Sequence, residues 1–442
     1  MNALLIEPGY KNKYPPLGLM KLATFLKSKE YDIVFHKGCS PELRDEFEWD
    51  YIFVTSLFTF EWKRTVETIK YYSLAKGNPK IFCGGILASL MPRQLEKETG
   101  VTVVEGLLDH SGTIGIRGEE AIEYCVPDYS ILDEIDYKYP TADSYFVHFT
   151  RGCVNKCKFC AVPRLEPIYE DYRTASSQIK QIIELYGEKQ NLLIMDNNSV
   201  ASNCFSNIVD DIKDLGFYKG AKINGKKRVV DFNQGLDARH MTEEKMKLLS
   251  SLAIKPLRVA FDNIALHEPY ERSMRWAAKY GLTQLSNYVL YNYLDTPEDF
   301  YERLRINIDL NEELGTSIFS FPMKYSPINQ TDRKYIGKNW NWRYLRGVKC
   351  ILQATHGVVG TQKEFFFHAF GESAEEFKEI LSMPERYIIE RVNHESISIP
   401  WRQSLRDLSV QMRQDFDSRI LDQRYPNLGS NFPEVEELLV HY

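Results

Sequence analysis

The chain has 442 residues, 43% hydrophobic and 26% charged, the balance of a soluble globular protein of two or three domains and not of a disordered or fibrous one. Lys and Arg number 55 against 61 Asp and Glu, a net charge of −6 that argues against a protein held mainly by nucleic-acid phosphates. No apolar run reaches the ~18 residues that span a bilayer, and the start MNALLIEPGYKNK lacks the basic region of a signal peptide, so a cytoplasmic protein with no membrane partner is expected.

In chain order, Asn2–Glu7, Asp32–His36, Tyr51–Ser56, Lys80–Cys83 and Val101–Glu105 are short β-rich runs that predict buried strands. Helical spacing of apolar residues fills Leu17–Lys29, Trp62–Lys76 and Pro92–Thr99 between them. Such alternation predicts a doubly wound parallel sheet, Rossmann-like in type, over residues 1–110. Gly84-Gly85 directly after a strand marks a sharp turn or a close approach. Residues 111–143, rich in turn signals, are expected to be a linker.

A second series begins near Ser144. Tyr145–Thr150, Asn191–Met195, Val229–Asn233, Leu257–Phe261, Gln284–Tyr291 and Ser317–Phe321 predict six strands. Ser176–Tyr186, Cys204–Leu215, Thr242–Leu252, Pro269–Lys279 and Pro297–Leu314 predict the intervening helices, with Thr242 placed to cap its helix. Six strand–helix pairs fit a partial (β/α)6 barrel of the TIM type over 144–330 better than an open sheet. Residues 331–442 carry no further strands and are expected to be mainly helical, with Phe365–Phe367, Trp340 and Trp342 in a core.

Eight cysteines in such a chain point to metal or catalytic use rather than disulfides. Cys39, Cys83, Cys125, Cys204 and Cys350 are scattered; Cys153, Cys157 and Cys160 fall together in FTRGCVNKCKFC. A structural zinc site needs four ligands, and no second CxxC, HxxxH or HExxH is present. Three thiolates without a fourth suit an iron–sulfur cluster with one iron open to a non-protein ligand.

CxxxCxxC with Phe159 before the last cysteine, just past the first strand of a β/α series, resembles the radical S-adenosylmethionine (SAM) enzymes. The resemblance implies a [4Fe-4S] cluster on Cys153, Cys157 and Cys160, with Phe159 beside the cofactor and SAM chelating the fourth iron. It implies reductive cleavage of SAM to methionine and a 5′-deoxyadenosyl radical that abstracts a substrate hydrogen. An electron donor such as a flavodoxin or ferredoxin is the partner it implies.

In a β/α barrel, working residues sit at the carboxyl ends of strands. That rule selects Asp196, Asn197 and Asn198 after the second strand, Gln234 to Arg239 after the third, Asp262 after the fourth, Asn292 after the fifth and Lys324 after the sixth. By the resemblance, Asp196–Asn198 meet the methionyl amino group, in place of the family's GGE-like stretch, and Asn292 contacts cofactor. Gln234, Arg239, Asp262 and Lys324 are candidate substrate contacts. Asn or Asp before a helix also caps it routinely. The basic run Lys219–Arg228 reads as a solvated loop.

PPLGLMKLA, SLFTF after the third strand and KIFCGG before a helix resemble the cobalamin-binding domain that precedes many radical SAM cores, which makes cobalamin a possible second cofactor. The chain has no DxHxxG segment for a lower cobalt ligand. The expected function is a radical SAM enzyme of the lyase or transferase class, acting on a small polar or heterocyclic substrate, such as the modified nucleobase queuine, by bond cleavage or rearrangement. The alternatives are a cobalamin-dependent radical SAM methyltransferase, a tRNA-modifying enzyme of methylthiotransferase type, and a non-enzymatic iron–sulfur sensing module. Nucleic acid is not the expected partner, because no basic domain follows the barrel.

Overall fold

The structure, a computed structural model, describes residues 1–423 and 429–442. The chain divides into two compact units: Met1–Gln234 with Ser251–Ile254 and Ser326–Arg333, and Gly235–Ser250 with Lys255–Tyr325 and Lys334–Tyr442.

The first unit opens on five parallel strands, β1 (Asn2–Glu7), β2 (Asp32–Lys37), β3 (Tyr51–Ser56), β4 (Lys80–Gly85) and β5 (Thr102–Val103), in the order β2-β1-β3-β4-β5. The order reverses direction between β1 and β3, as in a doubly wound sheet. Leu4, Ile6, Ile52, Val54 and Cys83 form one apolar core with Trp62, Val66 and Ile69 of the helix Trp62–Tyr72 and with Leu87 and Leu95 beyond it. Gly85 has φ +97°, and a Cβ there would lie 2.2 Å from the Ser56 carbonyl oxygen, so β3 and β4 close on each other at a point only glycine allows. The helices Pro41–Asp45 and Ile86–Leu90, too short to show a period, were not expected from sequence.

A second parallel sheet in the same unit contains β6 (Ser144–Val147), β7 (Asn191–Ile194) and, after the hairpin β8 (Lys222–Ile223) and β9 (Lys226–Lys227), β10 (Val229–Phe232), in the order β10-β7-β6. The hairpin replaces the solvated loop expected at Lys219–Arg228. Its turn is Asn224-Gly225, both at positive φ (+49° and +77°), the pair a two-residue hairpin favours.

The second unit holds β11 (Leu236–Asp237), β12 (Leu257–Ala260), β13 (Gln284–Tyr291) and β14 (Ser317–Lys324), parallel and in sequence order. The six expected barrel strands are therefore all present and parallel, with β11 as an addition, but they lie in two sheets of three and four strands. The break follows β10, where the chain turns at Asn233-Gln234 and passes Gly235 at φ +82°. The helix Pro297–Leu314 shows how local sequence fixes an element. Thr296 and Asp299 exchange the two hydrogen bonds of a capping box, Pro297 takes the first turn and Gly315 ends it in the left-handed conformation. Its residues Phe300, Tyr301, Leu304 and Ile308 share a core with the C-terminal helices, through Trp340, Phe366, Phe370, Phe377 and Trp401. Trp340 and Phe366 are buried as expected, whereas Phe365 is exposed.

Candidate functional site: a cysteine loop braced by buried charge

The cysteine loop leaves the carboxyl end of β6. Phe149 and Thr150 are fully buried, and Gly152, at φ +66°, abuts the backbone so closely that a Cβ would lie 2.3 Å from the Ile168 oxygen. Arg151 and Glu170 pair backbone to backbone (3.2 and 3.0 Å), which ties the loop shut at its base. Cys153, Cys157, Phe159 and Cys160 are half-buried. The Cys153 Sγ accepts from the Asn155 N–H at 3.4 Å and from Asn198 Nδ2 at 3.5 Å, and the Cys160 Sγ accepts from the Val162 N–H at 3.4 Å. Donors of this kind orient and tune a cluster's sulfur ligands. Among the described residues no three His, Cys, Asp or Glu side chains gather to hold a single metal ion. A cluster makes no such demand, since its thiolates bind different irons. The donor set, three soft thiolates with N–H groups aimed at two of them, fits the cluster.

The residues expected at the amino group of SAM are brought to this loop, but as its supports. Asp196 is buried; its Oδ1 accepts the Phe149 N–H (2.8 Å) and its Oδ2 the Thr150 N–H and hydroxyl (both 3.0 Å). Burial pushes its carboxyl up to about 7 against those hydrogen bonds. Asn197 Nδ2 donates to Glu166 Oε2 (3.0 Å), and Asn198 reaches Cys153.

Sequence reasoning missed the charges beneath the loop. Arg151, 7% exposed, donates to Glu166 Oε1 at 2.9 Å, to His148 Nε2 at 3.0 Å and to Glu123. Glu166 also accepts the Gly152 N–H at 2.7 Å. Burial, with Arg151 close by, holds His148 well below the usual imidazole range, so the ring is neutral and accepts. The adjacency of Arg151 to Gly152-Cys153 was the one signal available.

The remaining candidates are placed differently. Gln234 is exposed in the first unit. In the second unit, Arg239, a candidate substrate contact, is exposed and forks onto Asp237, Nε to Oδ1 and Nη2 to Oδ2 at 2.8 Å each, as an ion-pair partner. Asn292, expected at the cofactor, is fully buried at φ +69° and ties the end of β13 to the end of β14 and to the 335–337 loop. Its Nδ2 donates to the Tyr325 and Tyr335 carbonyls (3.1 and 3.0 Å), and its Oδ1 accepts the Gly337 N–H (2.7 Å). Lys324 ends β14, half-buried, opposite Tyr291. Arg258, a charge inside the apolar run LRVAF, was also missed. It donates to Ser286 Oγ at 3.3 Å and faces the Tyr288 and Phe321 rings at 6.0 and 5.6 Å.

Asp262 follows β12 and faces Arg303, Arg239 and Asp237. Burial raises its carboxyl to about 6 even though both arginines pull the other way. An acid whose folded value lies above its unfolded one near 4 loses stability as pH rises between the two and carries the full penalty above 6, at most about 3 kcal/mol. Asp262→Asn is therefore expected to raise the urea midpoint at pH 8, with the gain shrinking through pH 6 and gone by pH 4. A gain independent of pH would show that Asp262 is not the titrating group.

The crevice that a doubly wound sheet offers a flat cofactor lies at the carboxyl ends of β1 and β3. Here Tyr10, 2% exposed, lies across it, with Glu7, Cys83 and Glu61 all close enough to act on its hydroxyl. Glu7 takes Lys37 Nζ at 2.6 Å, Asn12 Nδ2 at 2.7 Å and the Tyr139 hydroxyl. The rings of Tyr10, Tyr137 and Tyr139 surround the Lys37 ammonium at 4.5–5.4 Å. Residues 137–141 strap the loop after β1, through Tyr137 Oη to the Asn12 carbonyl (2.5 Å) and Thr141 Oγ1 to the Lys13 carbonyl (2.8 Å). A corrin needs this edge open, and the residues present do not fit one.

No known family profile matches the chain. It is 25% identical over 213 residues to an uncharacterized methyltransferase of Synechocystis, sll1242; the match covers 44% of this chain and 38% of that protein. Two structures of SuiB from Streptococcus suis, one bound to S-adenosylmethionine, align at TM-scores of 0.32 and 0.33 with 13% and 11% identity. The alignments cover 48% of each chain in the first case, and 66% of this chain and 63% of SuiB in the second. No helix among the described residues is long and apolar enough to cross a membrane.

Proposed function

We propose that the chain is a SAM-dependent radical enzyme whose [4Fe-4S] cluster is held by Cys153, Cys157 and Cys160. The observation that carries this reading is the cysteine loop itself: three thiolates at the carboxyl end of β6, two of them receiving N–H donors, on a loop closed at its base by Arg151, Glu166 and Glu170. When bound, the cluster and SAM supply one electron and a 5′-deoxyadenosyl radical. The chain's residues hold the geometry. Asp196 fixes the backbone at Phe149 and Thr150, Glu166 fixes Gly152, and Asn198 and two backbone amides orient the thiolates. A flavodoxin or ferredoxin is the proposed electron donor.

The proposed substrate is a small polar or heterocyclic molecule, a modified nucleobase such as queuine being one. Arg258 beside the Tyr288 and Phe321 rings on β12–β14 supports a planar, polar ligand. The exposed lysines of the β8–β9 hairpin do not argue for RNA at the cysteines. Gln190, just before β7, holds the Lys226 and Lys227 carbonyls at 3.3 and 2.7 Å, which places the hairpin at the amino end of the strands, opposite the cysteine loop. The name of the Synechocystis relative favours a second reading, a methyltransferase; the filled crevice weighs against its cobalamin-dependent form.

The test is anaerobic reconstitution with iron and sulfide, then dithionite and SAM, with hydroxocobalamin added in a second arm. Formation of 5′-deoxyadenosine without retained cobalamin is expected. Absence of SAM cleavage by cluster-loaded protein would overturn the reading, and stoichiometric cobalamin would restore the methyltransferase.

A further inference from the structure

The helix Leu17–Ser28 begins within the PPLGLMKLA segment that points, in sequence, to a corrin site. It delivers a lysine to the cysteine loop instead. Lys21, 7% exposed, donates from Nζ to the Glu123 carbonyl at 2.6 Å and pairs with its Oε2 at 3.1 Å. The other carboxylate oxygen of Glu123 takes Arg151 and, at 3.4 Å, Arg173. Arg151 holds Glu166, and Glu166 holds the N–H of Gly152, the residue before Cys153. The path from the first helix to the first cysteine is thus continuous through charged side chains no more than 15% exposed.

Buried ion pairs seldom stabilise a fold better than apolar residues of the same volume, which leaves the fixing of one geometry as the role to test. Lys21 and Arg151 grip opposite carboxylate oxygens of Glu123, Oε2 and Oε1, so that neither leaves the carboxylate free to turn. We propose that Lys21 and Glu123 are positioning residues: the N-terminal helix sets the orientation of Arg151 and thereby the register of the cysteine loop. This rests on the cluster reading for its purpose, though not for its geometry.

The test compares Lys21→Met, Lys21→Arg and the double variant Lys21→Met/Glu123→Gln with the unaltered chain. Two readouts are taken: iron loss from reconstituted protein to a chelator, and the alkylation rate of Cys153 in metal-free protein, read by peptide mass. Lys21→Met and the double variant are expected to speed both by on the order of tenfold, the scale of a lost outer-shell contact at a metal site. Lys21→Arg is expected to restore both. A melting temperature that falls while both rates stay unchanged would overturn the proposal, because the network would then be structural only. If the unaltered chain takes up no cluster, the cluster reading fails, while alkylation in the metal-free chain still decides the positioning role.

Discussion

Replacing Cys153, Cys157 or Cys160 by Ala is expected to abolish the cluster's visible absorbance and to cut 5′-deoxyadenosine formation by more than ~100-fold, the upper range for disrupting a metal site's support and a lower limit for removing a ligand. The effect should be all-or-none for each, because the proposed cluster has three thiolates as its protein ligands and the chain supplies no spare cysteine beside them. Cys83 and Cys350 are buried in separate cores, and burial pushes the Cys83 thiol up to about 12, far from the thiolate a metal needs. Ala at Cys39, Cys83, Cys125, Cys204 or Cys350 should therefore leave iron content unchanged. Full iron and activity in any of the three loop variants would refute the assignment; iron analysis and product quantification check it.

What the sequence made legible was whatever is local. The strands are apolar runs of ordinary length, and all eleven expected ones lie where predicted, because each forms its own ladder edge from consecutive residues. The cysteine spacing is equally local. The contacts of Asn292 were not legible because its partners lie 33 to 45 residues away, and nothing in YNYLD announces that Tyr325, Tyr335 and Gly337 converge on it. The Asp237 partner of Arg239 was not legible although it is only two residues off, since a side chain that folds back on its own turn looks the same in sequence as one that reaches outward. The hairpin at Lys222–Lys227 was not read from the sequence, although Asn224-Gly225 is the dipeptide a two-residue turn favours. The break between β10 and β11 was not visible at all: Asn233-Gln234-Gly235 resembles an ordinary strand end, and only the pairing shows that the ladder stops there.

The largest stability loss is expected at Arg303, a residue the sequence did not single out. It is fully buried on the helix Pro297–Leu314; its Nη1 donates to the Phe261 and Leu290 carbonyls (3.1 and 2.7 Å) and its Nη2 pairs with Asp295 at 3.0 Å. It thus ties the carboxyl ends of β12 and β13 to the helix and, with Arg239, favours the charged form of Asp262. Arg303→Met fills the space but leaves Asp295 and Asp262 without that cation and two buried carbonyls without a donor. Removing one partner of a buried pair costs about 3–5 kcal/mol, where an exposed pair would cost under about 1. The second variant separates charge from packing. Without Arg303 the Asp262 carboxyl moves higher still, so Asp262→Asn should recover more stability in the Arg303→Met background than in the unaltered chain. The excess is the coupling between the two, and for groups in one network it is expected at about 0.5–3 kcal/mol. Urea midpoints of the four proteins at pH 8 measure it. Equal recovery in both backgrounds would mean that Arg303 acts on the strand ends through its hydrogen bonds to Phe261 and Leu290 alone, and that the field at Asp262 is set by Arg239.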